Sequence, residues 1–374
     1  MKNGLVEGIK KNICRHPGEC HICTNTGVII KLKQTAFIVF ITVFLAGCAA
    51  TKQKIAGLPE GEKWRGIHLL GYDSDEELQE LGMLIPEIKK TGLNVIILEI
   101  DYNFEFNSHP ELRGNDNPVT KKAARNLSKT CRKYNIRLIP EFQCVGHQSW
   151  EKETFPLLIK YPHFDLTPGA FPENETIYCR EWDVTNPEVY AIVFELLDEI
   201  IDAFQSDAFH VGMDEVFLLG SEQSPSTKGK DPGILFAKAI NDIYDHLVKK
   251  RKVEMLMWGD RLFDGTGYNF GKWESSLNGT AAAVNSIPTD IIICPWHYEK
   301  MEAYPSIPIF IKKGFRVLPA SWKNVDAAKA LIQYSNMQDG PKMLGHLFTT
   351  WSKQDILTYP PMTECINLID KEEN

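Results

Sequence analysis

The sequence predicts a (β/α)8 barrel, and three observations predict it. Strand-like and helix-like stretches alternate from Trp64 onward, eight strand candidates fit into the rest of the chain, and acids and tryptophans recur where those strands end. Alternation of the two periods is the mark of a mostly parallel sheet covered by helices, and barrels of this kind carry their chemistry at the C-terminal ends of the strands. An open doubly wound sheet is the other arrangement, but no glycine-rich phosphate loop follows the first strand.

The strand candidates are 66–70, 93–100, 136–142, 207–213, 253–258, 290–296, 315–320 and 343–350. Helices are expected over 75–91, 120–134, 187–204, 233–250, 300–313 and 324–336. In the first helix Leu78, Leu81, Leu84, Ile85 and Ile88 keep the helical apolar period, and Thr91-Gly92 stops it. Strand by strand, the ends carry polar and aromatic groups. The first strand holds Arg65 at its start and His68 inside it; Glu99 and Asp101 close the second, and Glu141, Gln143 and His147 follow the third. Asp214 and Glu215 follow the fourth, Trp258 and Asp260 the fifth, Trp296, His297, Tyr298 and Glu299 the sixth, Trp322 the seventh and Trp351 the eighth. Four of the eight tryptophans thus fall at consecutive strand ends. An indole offers an apolar face to a sugar ring and a polar N–H to its hydroxyls, so tryptophans ringed with carboxylates point to a saccharide pocket.

The most informative stretch is Phe209-His210-Val211-Gly212-Met213-Asp214-Glu215-Val216. An apolar strand runs straight into two adjacent carboxylates, which places two acids at the barrel mouth. Glycosidic bond cleavage needs one carboxyl to protonate the leaving oxygen and a second group to stabilise positive charge at the anomeric carbon.

Ahead of the barrel, Lys31 and Lys33 precede an apolar run over 36–44 and then Leu45-Ala46-Gly47-Cys48. A basic start, a short apolar run and small residues read as a secretory signal, with a retained transmembrane anchor as the competing reading. Leu-Ala-Gly-Cys resembles a bacterial lipoprotein box, which implies cleavage after Gly47 and lipidation of Cys48. The expected organisation is 1–47 removed, 48–63 a tether, and 64–374 the barrel, attached to a membrane of the cell envelope through the lipid. A signal beginning near Lys31 also places the expected translation start well downstream of Met1. Cys14, His16, Cys20, His21 and Cys23 lie in the discarded leader, so no metal is assigned to them. Of nine cysteines, Cys48, Cys131, Cys144, Cys179, Cys294 and Cys365 remain after processing, widely spaced and without a dense disulfide framework. The formal charge of -8 has no basic stripe, which argues against nucleic acid as partner.

The segment His210-Val211-Gly212-Met213-Asp214-Glu215 resembles the His-x-Gly-x-Asp-Glu signature of family 20 glycoside hydrolases, the β-N-acetylhexosaminidases. Pro140-Glu141-Phe142-Gln143-Cys144-Val145-Gly146-His147 is similar to that family's Pro-Glu-Ile-Asp-x-Pro-Gly-His, with Gln143 where the family usually has aspartate. Arg65-Gly66, Trp258-Gly259-Asp260 and Trp351-Ser352 resemble its remaining strand motifs. The resemblance implies a retaining mechanism in which the substrate's 2-acetamido oxygen is the nucleophile and an oxazolinium forms. By that resemblance Asp214 holds the acetamido N–H and Glu215 is the acid and base, while Arg65 clamps sugar hydroxyls and Tyr298 makes a second acetamido contact. Glu141, His147, Trp258, Asp260, Trp296, Trp322 and Trp351 complete the expected substrate site. A glycan ending in N-acetylhexosamine is the expected partner, with no cofactor and no metal. Two other readings stand beside it: a glycan-binding lipoprotein without turnover, and a retaining glycosidase for sugars lacking the acetamido group. The last would need a protein nucleophile, for which Asp260 or Glu299 would have to serve.

Overall fold

The computed structural model describes residues 58–59, 61–338 and 340–369. The expected leader, Cys48, the early cysteine and histidine residues and most of the tether lie outside the described residues.

Eight parallel strands make the barrel: β1 Trp64–Leu69, β2 Val95–Glu99, β3 Arg137–Cys144, β4 Ala208–Gly212, β5 Glu254–Trp258, β6 Ile292–Cys294, a seventh, β7, in two pieces (Arg316–Val317 and Ala320–Ser321), and β8 Gly345–Thr349. Neighbours in sequence are neighbours in the sheet, and β1 pairs with β8 from Trp64 opposite Gly345 to His68 opposite Thr349. The seam lies in β7. Its first piece pairs with β6 and its second with β8, and Pro319 between them has no N–H for the ladder. The ring is nevertheless complete, because Val317 N–H reaches Lys342 O at 2.8 Å and Ala320 N–H reaches Pro295 O at 2.8 Å. The expected barrel is thus observed. Its sixth strand is shorter than expected because Pro295 follows Cys294.

The helices follow the apolar period. Asp75–Lys90 (α1) starts at Ser74, whose side chain accepts from Glu77 N–H, and buries Leu78, Leu81, Ile85 and Ile88. Lys121–Lys133 (α2), Pro187–Phe204 (α3), Pro232–Tyr244 (α4), Ser306–Lys313 (α5), Val325–Asn336 (α6) and Pro360–Cys365 (α7) complete the outer layer. The end of the expected 233–250 helix widens into a π-helical turn, Asp245–Arg251. The expected 300–313 helix begins only at Ser306. Pro305 pushes Tyr304 out of the helical region, and the Tyr304 hydroxyl instead accepts Met301 N–H at 3.0 Å and donates to Glu299 O. Among the described residues no helix is long and apolar enough to cross a membrane.

Strand alternation sorts the side chains into two cores. Outward residues such as Ile67, Leu98, Phe142, Val211, Met257 and Phe348 pack under the helices. Inward residues such as Trp64, Val95, Ile97, Ile139, Leu256, Ile292, Leu318 and Leu347 fill the barrel. The five described cysteines are buried and unpaired. Apolar layers therefore close the middle of the barrel and leave its two mouths for charged groups.

Candidate active site

The C-terminal mouth is built on β4. Gly212 ends the strand at φ +61°, a left-handed conformation that favours glycine, and a Cβ there would also displace the Gln143 side chain, whose Oε1 it would meet at 1.8 Å. Met213 (φ 68°) and Glu215 (φ 52°) follow in left-handed backbone, as do Asp101, Val145 and His147 on neighbouring loops. Each such residue costs roughly 1 kcal/mol or more. The cost gathers around two carboxylates. Asp214 and Glu215 are both buried, at 4% and 8% exposure.

His147 stands against both acids, with Nε2 3.4 Å from Asp214 Oδ2 and 3.2 Å from Glu215 Oε2. Burial works against its charged form, but Asp214 and Glu215 outweigh burial and hold its pKa well above the ordinary value. Glu215 N–H donates to Asp260 Oδ2 at 2.9 Å, and the buried Arg261 Nε donates to the same oxygen at 2.7 Å. Burial raises the Asp260 pKa to about 6 despite that guanidinium. Burial, followed by the nearby negative charge of Glu215, pushes the Tyr178 phenol's pKa up.

Beneath these acids lies a second, wholly enclosed layer. Glu141 accepts the Trp258 indole N–H at 3.1 Å and lies 2.9 Å from both His68 Nε2 and His210 Nδ1. His68 also approaches Glu99 at 3.5 Å. Burial opposes charge on His68, yet Glu141 and Glu99 raise its pKa to about 10, and the same imidazole helps hold Glu141 below the usual carboxylate range against its own burial. The rings of Trp258 and Trp351 lie 5.4 and 5.0 Å from the His68 ring. Two triads, His68 with Glu99 and Glu141 and His147 with Asp214 and Glu215, have ligand-type atoms close enough for a metal ion. In each triad the imidazole also pairs with the carboxylates, His68 with Glu141 at 2.9 Å and His147 with Glu215 at 3.2 Å.

The aromatic side of the cleft follows the expected strand ends. Trp351 Nε1–H donates to Tyr298 OH at 2.8 Å; Tyr298 stacks on Trp296 at 4.8 Å and meets Trp322 at 5.5 Å. Trp258 lies 5.7 Å from Trp351. Glu274 fixes this wall by accepting Tyr298 N–H at 3.0 Å and pairing with His297 Nδ1 at 2.8 Å.

Four expected contacts differ. Arg65 sits at the opposite end of the barrel, where its Nε–H donates to Gly92 O at 2.8 Å and its guanidinium pairs with Glu62. Alternation is the reason: Trp64, Gly66 and His68 share the inner face, so Arg65 faces outward. Glu141 and Trp258 are fully buried and Asp260 is 1% exposed, so all three position other groups instead of lining the pocket. His147, Trp296, Tyr298, Trp322 and Trp351 are brought together around Asp214 and Glu215. His68 and His210 stand out in the sequence without an assigned role, and the residues not anticipated are Arg261 and Glu274, together with Trp150, Tyr178 and Trp273. The last three lie on the long connections after β3 and β5, and the length of those connections was the available signal.

A closed parallel barrel with an Asp-Glu pair in an aromatic cleft at its C-terminal mouth defines a glycoside hydrolase scaffold. The chain belongs to glycosyl hydrolase family 20, whose catalytic domain matches residues 92–354. It is 23% identical over 280 residues to the lacto-N-biosidase of Bifidobacterium bifidum, covering 71% of this chain and 23% of that one. It is 24% identical over 204 residues to a β-hexosaminidase of Emericella nidulans, covering 53% of this chain and 31% of that one. The Flavobacterium johnsoniae chitobiase superposes with a TM-score of 0.61 at 18% identity, over 82% of this chain and 48% of that one. The chain therefore spans less than half the length of each of these relatives.

Proposed function

We propose that this chain removes terminal β-linked N-acetylhexosamine from glycans with retention of configuration, using the substrate's 2-acetamido oxygen as nucleophile. The observation that carries the reading is the Asp214-Glu215 pair, held at the end of β4 with one acid's backbone fixed by Asp260. In this reading the Asp214 carboxylate accepts the acetamido N–H and stabilises the developing oxazolinium. Glu215 gives its proton to the leaving oxygen, then takes one from the water that opens the intermediate. His147 Nε2 pairs with the Glu215 carboxylate at 3.2 Å.

The alternative for sugars without an acetamido group loses support here. It needs a carboxylate nucleophile at the anomeric carbon, but Asp260 is buried and engaged by Glu215 N–H and Arg261. Glu299 is exposed, in the turn that Tyr304 braces. Hydrolysis of a panel of aryl β-glycosides tests the choice: cleavage confined to 2-acetamido sugars is expected, and cleavage of plain glucosides or galactosides overturns it.

The reading extends to location. The leader and Leu45-Ala46-Gly47-Cys48 support an exported lipoprotein of the bacterial envelope, anchored through Cys48, that meets its glycan outside the cytoplasm. Labelling with a fatty-acid probe should mark the expressed wild-type protein and fail to mark Cys48→Ser; equal labelling of both rules the anchor out.

A further inference from the structure

The turns that carry each helix into the next strand gather around the N-terminal mouth, at the end of the barrel away from Asp214 and Glu215, and several of them are basic. Lys89 and Lys90 close α1, Arg132 and Lys133 close α2, Lys312 and Lys313 close α5, and the π-helical turn after α4 ends in Lys249-Lys250-Arg251-Lys252. Bonds between turns join them into a rim. Lys89 Nζ donates to Asn135 O at 3.3 Å, Arg132 to Gln205 Oε1 at 3.0 Å and Lys313 Nζ to Asn285 Oδ1 at 2.6 Å. Acids neutralise part of the rim, since Lys90 pairs with Glu87, Lys249 with Asp245 and Arg251 with Asp202. Lys133, Lys250, Lys252 and Lys312 are exposed, and among the described residues none of the four is in an ion pair. The helix macrodipole favours a cation or two in a last turn. It does not account for four in succession in a chain whose formal charge is -8.

We infer that this rim docks on the anionic lipid headgroups of a bilayer, seating the barrel by its N-terminal mouth so that the cleft opens away from the membrane. Two observations select a bilayer among polyanions. The four exposed lysines come from three separate turns at one end of the barrel instead of lining a single groove, which suits a flat surface of mobile charges. The chain also enters the fold at this end. Lys63 Nζ donates to Met343 O at 2.7 Å and Trp64 N–H to Leu344 O at 2.7 Å. Cys48 lies sixteen residues before Trp64, so it is tied to this end by at most about 55 Å of chain. That second argument rests on the reading of Cys48 as the lipid-bearing residue; the basic rim itself does not. Lysines attract an anionic leaflet only within about 10 Å at ordinary ionic strength, and an anchor at this end brings the rim into that range. The strands run from the rim to the cleft, so docking here leaves Asp214 and Glu215 open to a glycan.

The test is flotation of the full chain carrying Cys48→Ser, which lacks the thiol that would bear lipid, with vesicles of phosphatidylcholine alone or with about one third phosphatidylglycerol. The ratio of the two affinities is the readout, because it cancels any binding through the apolar run 36–44. A preference of about a hundredfold for the anionic vesicles is expected at low salt, vanishing at about 0.5 M salt. Lys250→Glu with Lys252→Glu should lower the ratio about 25-fold, at about fivefold for each lysine, and Lys133→Glu with Lys312→Glu should do the same. Lys121→Glu with Lys122→Glu makes an equal change in charge at the exposed start of α2, toward the other end of the barrel, and should leave the ratio within about twofold. Equal affinity for the two vesicles overturns the docking face. So does an equal fall from all three pairs, which would mean that net charge governs and not the rim. If the fatty-acid probe leaves wild type unmarked, the anchor reading fails by itself, and the vesicle ratio still decides the face.

Discussion

At the N-terminal mouth of the barrel, Arg137 bridges Asp207 at 3.0 Å and Glu254 at 2.5 Å, and Arg316 reaches the other oxygen of Glu254 at 2.6 Å and Asp290 O at 2.7 Å. Arg137 also lies 5.0 Å over the Trp64 ring. Two cations meet two anions and every charge has a partner. At the C-terminal mouth, Glu99, Asp101, Glu141, Asp214, Glu215 and Asp260 crowd together with His68, His147, His210 and Arg261. Buried polar atoms there, including Gln143 Oε1, Asp214 Oδ1, Asp260 Oδ1, His210 Nε2 and Trp296 Nε1, have no hydrogen-bond partner among the described residues, whereas toward the N-terminal end His346 Nδ1, in register with Arg65, is such an atom. An unsatisfied buried group costs about 1–3 kcal/mol. The left-handed backbone at Asp101, Val145, His147, Met213 and Glu215 adds to the cost at the same end. Both mouths hold charge within an apolar frame, so the difference teaches that charge alone does not mark a site. Mismatch does: one end is neutralised for stability, and the other keeps acceptors and donors aimed into a cleft.

The sharpest way to break this comparison is to remove one charge from each end and read activity. Glu215→Gln is expected to lower kcat about a hundredfold to ten-thousandfold on substrates with poor leaving groups, with partial recovery on activated aryl glycosides that need no proton. Asp214→Asn is expected to lose about a hundredfold to a thousandfold on both. Arg137→Met, although it removes a buried cation, should leave kcat within about twofold and cost about 1–3 kcal/mol in chemical denaturation, because Asp207 and Glu254 retain solvent. Loss of activity in Arg137→Met equal to that in Glu215→Gln would erase the distinction between the ends.

Stability sharpens the comparison from the other side. His68→Phe keeps a ring against Trp258 and Trp351 but takes one partner from the fully buried Glu141, leaving it His210 and the Trp258 N–H, and about 1–3 kcal/mol should be lost. The pH dependence has a definite sign. The folded-state pKa of His68 is raised from 6.5 to about 10, so the native protein binds the extra proton and its contribution is complete below about 6.5. That contribution disappears as pH climbs toward about 10. Denaturant midpoints of wild type and His68→Phe should therefore converge between pH 6 and pH 10; a gap independent of pH would mean that the imidazolium does not carry the stabilisation.

Much of this was legible in the sequence, and the boundary has a physical basis. Strands rich in Ile, Val and Leu, the α1 stripe and the Pro187–Phe204 helix carry their period within one segment, and so does the Asp214-Glu215 pair at the end of its strand. The His68, Glu99, Glu141 and His210 layer draws its members from four different strands, so only closure of the barrel shows that they meet. Trp150, Tyr178 and Trp273 lie on connections without periodicity, where spacing says nothing about direction. Glu141 and Asp260 are placed correctly at strand ends, but depth below the surface, which decides between contacting a sugar and positioning an acid, is set by neighbours distant in sequence. Arg65 is a separate case: strand parity already opposed placing it on the same face as His68, and the family motif outweighed it.

Arg65 therefore supplies the smallest expected effect and the most direct check on which end of the barrel it serves. Arg65→Ala removes one side-chain bond to Gly92 O and a partly exposed pairing with Glu62. A loss of about 1 kcal/mol is expected. If the arginine held substrate hydroxyls, its loss would raise KM for a 2-acetamido glycoside by about tenfold or more, since a charged hydrogen bond to a ligand is worth about 1.5–3 kcal/mol. The geometry requires KM and kcat to stay within about twofold of wild type. A large rise in KM would move Arg65 to the C-terminal mouth and leave His68 without its place on the inner face of β1, because strand alternation cannot put both side chains there.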